Sequence, residues 1–176
     1  MKSLFIASAC VGLLGAAAVA AAPAPAAGPT DPQIAHIAYT AGQIDIAAGR
    51  QALTKSKNPK VRAFAEEMVR DHTAVNDKAL ALVKKLGVTP EANPTSAGLE
   101  KQATAERAKL ETLKGAAFDK AYVANEVAYH KTVNGALAKT LIPSAHNGEL
   151  KSLLETGLKL FSEHQAHAEH LAHGLH

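Results

Sequence analysis

Apolar residues recur at helical spacing along four stretches of the chain, and each stretch is interrupted by one polar residue on its apolar face. Val61, Ala65, Met68, His72, Val75, Ala79, Leu82 and Leu86 follow one another in steps of 4, 3, 4, 3, 4, 3 and 4, the spacing of a helix seam that faces a core. His72 sits in the middle of it. Leu150, Leu154, Gly157, Phe161, His164, Ala168 and Leu171 make a second seam around His164. Val123, Val127, His130, Asn134, Leu137 and Leu141 make a less regular third around His130, and Ile34, Ala38, Ala41, Asp45, Ala48 and Ala52 a fourth around Asp45.

The punctuation between these seams sets the helix ends. Asp31-Pro32 reads as an N-cap followed by a first-turn proline, starting a helix that runs to about Ser56. Asn58-Pro59 repeats the signal, and the next helix runs to about Leu86, where Gly87 stops it. A two-residue connection makes these two an antiparallel hairpin. Val88 to Thr95, with Pro90 and Pro94, reads as a loop. Ser96 to Leu113 reads as a weakly amphipathic helix broken by Gly115. A long helix follows from about Ala116 to Leu141, then a turn over Pro143 to Gly148, then a last helix from about Glu149 to Ala172. Two hairpins joined by a crossover of nearly thirty residues predict an all-α, ferritin-like four-helix bundle with a short extra helix in the crossover.

Composition agrees with helices. Hydrophobic residues are 47% of the 176, much of it alanine; aromatics are 4% and Trp is absent. A sheet would be richer in β-branched and aromatic residues. An alanine-rich core also leaves little room for a substrate.

The N-terminus reads differently from the rest. Met1-Lys2, an apolar stretch from Leu4 to Ala22, and small-x-small steps at Ala18-Val19-Ala20 and Ala20-Ala21-Ala22 read as a signal peptide over residues 1–22. Residues 23–30 then form a Pro/Ala linker, and residues 31–173 form the domain. Cys10, the only cysteine, falls in the leader, so the mature chain has neither disulfide nor thiol chemistry. The expected location is periplasmic or secreted, with no integral span after cleavage. Without Lys2 the chain carries 18 basic and 16 acidic residues. That near-balance, with no extended basic cluster, argues against nucleic acid as a partner.

His72, His130 and Asp45 fall close to the centres of their helices and His164 about one turn past, so an antiparallel bundle places them in or near one layer. Glu126 lies four residues before His130 on the same face. Glu67 and Asp71 flank His72, and Glu163 precedes His164. Buried polar groups need partners. One possibility is a metal site for Fe, Mn, Zn or Cu, formed by Asp45, His72, His130, His164 and Glu126, with some carboxylates behind the histidines as orienting partners. Another is a hydrogen-bonded polar layer without metal. Catalysis by these groups would need an open cavity beside them. If the histidines are neutral in the core, stability should drop steeply as pH falls from about 7 to 5.

His164, His167, His170, His173 and His176 recur every third residue. The drift of a 3.6-residue turn keeps all five from meeting at one ion, so this run is either an exposed polar helix end or a weak surface site. Tyr39, Tyr122 and Tyr129 are candidates to hydrogen-bond into the core. No nucleophile elbow, phosphate loop, dinucleotide fingerprint or calcium loop is present.

The segments AGQIDIAAGRQAL, VRAFAEEMVRDHTAVNDKALALVKKLG, FDKAYVANEVAYHKTV and LFSEHQAHAEHL, in that order, resemble an exported bacterial family known as domain of unknown function 4142. The resemblance implies a ferritin-like fold and an exported, periplasmic or outer-membrane-associated protein, and implies no particular activity. Di-iron ferritins use Glu-x-x-His on two helices. Here Glu126 and His130 are four apart and Glu67 and His72 five apart, so ferroxidase chemistry is not expected. The functional expectation is an exported bundle that binds a transition metal. The alternative is a structural or stress-related envelope protein whose buried histidines only specify packing.

Overall fold

The computed structural model describes residues 28–175. The expected signal peptide (1–22) and residues 23–27 of the expected linker (23–30) lie outside the described residues. The described chain is helical: α1 Asp31–Lys55, α2 Pro59–Leu86, α3 Pro94–Glu111, α4 Gly115–Ala136, a π-helical turn Leu137–Leu141 continuing into the short α5 Ile142–Ser144, and α6 Gly148–His173. No helix among the described residues is long and apolar enough to cross a membrane.

α1 packs along α2 and α4 along α6; α2 and α6 join the two pairs, and α3 packs on α1. The expected small crossover helix is therefore an 18-residue helix with its own partner. It starts two residues earlier than the apolar pattern suggested. Asn93 caps it through Thr95 and Ser96 N–H, and Pro94 takes the first helical position, where a missing N–H costs nothing.

Two further boundaries differ from expectation. Thr30, not Asp31, caps α1, and its N–H donates to the Gln33 side chain at 3.1 Å. One position further in, the Asp31 carboxylate accepts from the backbone N–H groups of His146 and Asn147 at 2.9 and 2.8 Å, so it ties the start of α1 to the turn before α6. The long fourth helix does not stay α-helical to Leu141. From Leu137 it widens, and Ile142 N–H donates to Leu137 C=O, five residues back. Pro143 lacks an N–H and would clash with the carbonyl four residues earlier in a regular helix; a π-turn just before it re-registers that ladder.

α1 and α2 approach closely at two glycines. A Cβ on Gly49 would lie 3.0 Å from Ala65 C=O and 2.9 Å from Val69 Cγ2, and one on Gly42 would lie 2.4 Å from Asn76 Oδ1. Two apolar clusters form the core. One gathers Ala52, Val61, Phe64, Met68, Phe118, Tyr122 and Leu171; the other gathers Ile34, Ile37, Leu137, Leu141, Leu150, Leu154 and Phe161. On each of α1, α2, α4 and α6 the polar seam residue falls between the positions that feed one cluster and those that feed the other.

Candidate metal centre

All five seam residues are buried and come together. Asp45 on α1, His72 on α2, Glu126 and His130 on α4 and His164 on α6 are each at most 2% exposed. The three imidazole centroids stand 5.3 to 5.6 Å apart. One ring nitrogen from each of His72, His130 and His164 lies within 4.8 Å of the others, and one ligand atom from each of Asp45, Glu126 and His130 makes a second such group sharing His130. His164, expected one turn away, lies in the same layer.

The hydrogen bonds decide which ring nitrogens are free. Glu126 C=O can only accept, so the 3.0 Å contact from His130 Nδ1 makes that nitrogen the donor and leaves Nε2 as a lone pair. Asp71 Oδ2 lies 3.1 Å from His164 Nε2. An ionised carboxylate also only accepts, so His164 carries its proton there and keeps Nδ1 as a lone pair. His130 Nε2 and His164 Nδ1 are both buried with no partner. His72 has no well-formed hydrogen bond at either nitrogen; Asp45 Oδ2 stands 3.4 Å from its Nε2. Counted as carboxylates, Glu126 has no donor to either oxygen and Asp45 none to Oδ1. Buried polar atoms in folded proteins are nearly always satisfied. Of the eleven buried side-chain atoms without a partner among the described residues, seven belong to these five side chains, and all seven are potential ligands.

Electrostatics follow from the burial. Desolvation pushes the Asp45 carboxyl well above its usual range, and the adjacent Glu126 adds to the effect. Desolvation raises Glu126 to about 7, with contacts from Asp45 and Asn125 holding it from going higher. Desolvation lowers His130 to about 4 and pushes His72 well down, aided by the two neighbouring imidazoles; it lowers His164 too, against the pull of Asp71. Near neutral pH the layer therefore holds neutral imidazoles beside carboxyls that resist ionising. A cation there would supply the missing partner to both kinds of group.

Other residues fix this layer. Phe161 stacks on His72. Tyr129 OH donates to Ala41 C=O at 3.1 Å. Tyr122 is fully buried, and its hydroxyl has no partner. Asp71 and Glu67 do not serve His72, which they flank in sequence. They face α6, where Asp71 meets His164 and Glu67 Oε2 meets His167 Nδ1 at 2.7 Å. Their spacing of four on α2, matched to a spacing of three between His164 and His167, was the available signal. Asp71 is also gripped by Arg70 at 2.7 and 3.0 Å. Partial burial pushes its carboxyl up, but the bonds from Arg70 and His164 outweigh this and hold it below its usual range. Glu163, His170 and His173 are exposed and apart from the centre.

The alanine-rich core does leave space. A cavity of about 520 Å³ lies between the second apolar cluster and the half-buried C-terminal part of α2, walled by Ala38, Val75, Ala79, Leu82, Leu154 and Phe161 among others. None of the five seam residues lines it; Phe161, which stacks on His72, does.

A family model described as domain of unknown function (DUF4142) matches residues 16–171. The chain belongs to this family. No curated protein matches it. Two solved structures resemble this DUF4142 protein in fold. A DUF305 putative secreted protein from Streptomyces coelicolor aligns with a TM-score of 0.68 at 12% identity, over 81% of this chain and 91% of its own. CopM in its Cu(II)-bound form aligns with a TM-score of 0.64 at 13% identity, over 85% of this chain and 99% of its own. At such identities the likeness establishes a shared helical fold.

Proposed function

We propose that this protein is an exported metal-binding bundle of the ferritin-like kind, holding one transition-metal ion through His72, His130 and His164 with Asp45 and Glu126. The proposal includes a cleaved leader over residues 1–22, a linker over 23–30 and a functional domain over 31–173. The observation that carries it is the set of buried ligand atoms without partners: imidazole lone pairs from three helices and carboxyl oxygens from two, gathered in one layer. Imidazole nitrogens with carboxylate oxygens suit Zn, Cu, Fe or Mn. Cu(II) is the first ion to try. It stands at the top of the divalent affinity order for such ligands, and CopM, which shares the fold, is known in a Cu(II)-bound form. The role is binding rather than turnover, because the cavity that would admit a substrate is separated from these residues.

The test is metal analysis of the untagged protein, followed by titration of the metal-free form with Cu(II), Zn(II), Mn(II) and Fe(II). The proposal expects one tightly held ion per chain and a higher melting temperature on binding, since an ion that binds only the folded state stabilises it by mass action. No stoichiometric ion and no thermal shift with any of the four would reject it. The chain would then be better described as a structural or stress-related envelope protein, with the Asp71–His164 and Glu126–His130 contacts serving packing alone.

A further inference from the structure

The proposed centre is closed on nearly every side, which raises the question of how an ion reaches it. The side chains of Asp45, His72, Glu126, His130 and His164 are at most 3% exposed. On one side alone among the described residues does a ladder of ligand-bearing groups lead out from them. Side-chain exposure rises from 1% at His164 to 18% at Asp71, 28% at Glu67 and 45% at His167. Ligand atoms of Glu67, Asp71 and His164 lie within 4.8 Å of one another, and His167 Nδ1 is 2.7 Å from Glu67. The His167 ring is held edge-on by Phe64, with centroids 5.1 Å apart.

His164 belongs to both groups. Its Nε2 meets the outer carboxylates through Asp71, while its Nδ1 is buried and has no partner. The outer group already attracts a cation, since Arg70 closes on Asp71 with two hydrogen bonds. Arg70 is itself 68% exposed, so it can swing into solvent when another cation arrives.

We infer that Glu67, Asp71 and His167 form a loading dock that captures a divalent transition-metal ion from solvent and delivers it inward beside His164, whose Nε2–H stays on Asp71 while its Nδ1 lone pair faces the buried centre. This rests on the metal-binding function proposed above. Carboxylates at the mouth of a low-dielectric path concentrate cations and speed their capture. Each ligand exchange then replaces one neighbouring group with the next, so the ion is not stripped bare between water and the interior, where an unpaired charge is costly. The apolar cavity on the other side of Phe161 offers no such succession of ligands.

The experiment uses Cu(II) as the probe. Metal-free protein is mixed with Cu(II) and quenched with excess EDTA at successive times; the chelator strips surface copper, and copper that resists it counts the buried centre. Glu67→Gln/His167→Gln is expected to load about tenfold more slowly than the parent, at the low end of electrostatic rate gains, and to reach the same final copper per chain. Equal loading rates would overturn the dock. A lower final copper content would overturn it as well, by making Glu67 and His167 part of the resting site. If the parent itself never acquires EDTA-resistant copper, the metal-binding function fails, and the dock with it.

Discussion

The Phe161 ring lies flat on the His72 imidazole, with 4.5 Å between centroids and 12° between planes. This contact matters because His72 has no well-formed hydrogen bond at either nitrogen. Packing, rather than a polar partner, sets the ring's orientation, and Phe161 is also the wall between the imidazole layer and the 520 Å³ cavity.

Phe161→Ala removes both functions at once. Truncating a buried aromatic of this size typically costs about 3–5 kcal/mol. The value here is expected near the lower end, because Phe161 borders an existing cavity rather than close-packed core. Chemical denaturation of the metal-free protein measures it. The variant is also expected to bind Cu(II) more weakly although all five ligands remain, as His72 is freed to turn. Unchanged affinity would mean that the stack is incidental to the centre.

The α1–α2 contact gives a second expectation, about the fold alone. Alanine favours a helix interior over glycine by about 1 kcal/mol, so at Gly42 and Gly49 the sign of a substitution depends on whether the neighbouring helix can make room for a Cβ. At Gly42 the obstacle is the tip of the Asn76 side chain; it can move, at the expense of its 3.3 Å bond to Tyr39 C=O. At Gly49 the obstacle includes the Ala65 carbonyl, which cannot move without shifting α2. Gly49→Ala should therefore destabilise by about 1–3 kcal/mol, as overpacking does, and more than Gly42→Ala. Urea midpoints for the two variants decide the order.

Much of the centre was legible in the sequence because a helix seam is periodic. A histidine or aspartate in a run such as Met68, His72, Val75 has to point where its apolar neighbours point. Glu126 was legible for the same reason, one turn from His130. What periodicity cannot supply is the pairing between helices. Asp71 precedes His72 in the chain and so appeared to belong to it, yet a residue one step along a helix is rotated about 100° away and faces α6. The Thr30 cap and the π-turn before Pro143 were hidden by a different cause. Asp31 and Thr30 are both good caps, and the tertiary contact of Asp31 with the turn at His146 and Asn147 decides between them. A proline near a helix end likewise does not announce whether the helix stops or widens.

The pH dependence of the metal-free protein tests the electrostatics of the layer. His130 takes up a proton at about 4 when folded and 6.5 when unfolded. As pH falls through that interval the unfolded chain binds a proton that the folded chain refuses, and stability is lost. Glu126 has the opposite sign. Its carboxyl ionises at about 7 when folded and 4.5 when unfolded, so stability is lost as pH rises through that interval. The shifts are of similar size, about 3 kcal/mol each, with His72 and His164 adding to one side and Asp45 to the other. The histidines alone would make the protein acid-sensitive below neutrality; with the carboxyls beside them, the loss of stability as pH falls from about 6.5 to 4.5 is expected to be shallow. Asp45→Asn/Glu126→Gln removes the opposing pair, and its stability should rise steadily with pH across the same range. Urea midpoints for both proteins at several pH values check this, and parallel profiles would mean that the carboxyls do not hold protons in the layer.

His72→Leu separates a binding role from a packing role. In the metal-free protein His72 brings a desolvated ring with two unsatisfied nitrogens, and an unpartnered buried polar group costs about 1–3 kcal/mol. Leucine fits a similar volume without that penalty. It also leaves no strongly bound partner behind, since Asp45 Oδ2 stands 3.4 Å away and its carboxyl tends to keep a proton. The variant is therefore expected to be as stable as the parent, or more stable, without metal. With Cu(II) the order should reverse: the parent gains thermal stability and the variant gains little. That crossing, read from melting temperatures with and without the ion, is expected only if His72 is kept for a ligand. If the histidine serves packing alone, its replacement keeps the fold, with stability equal to or above the parent's under both conditions, and leaves the response to Cu(II) unchanged.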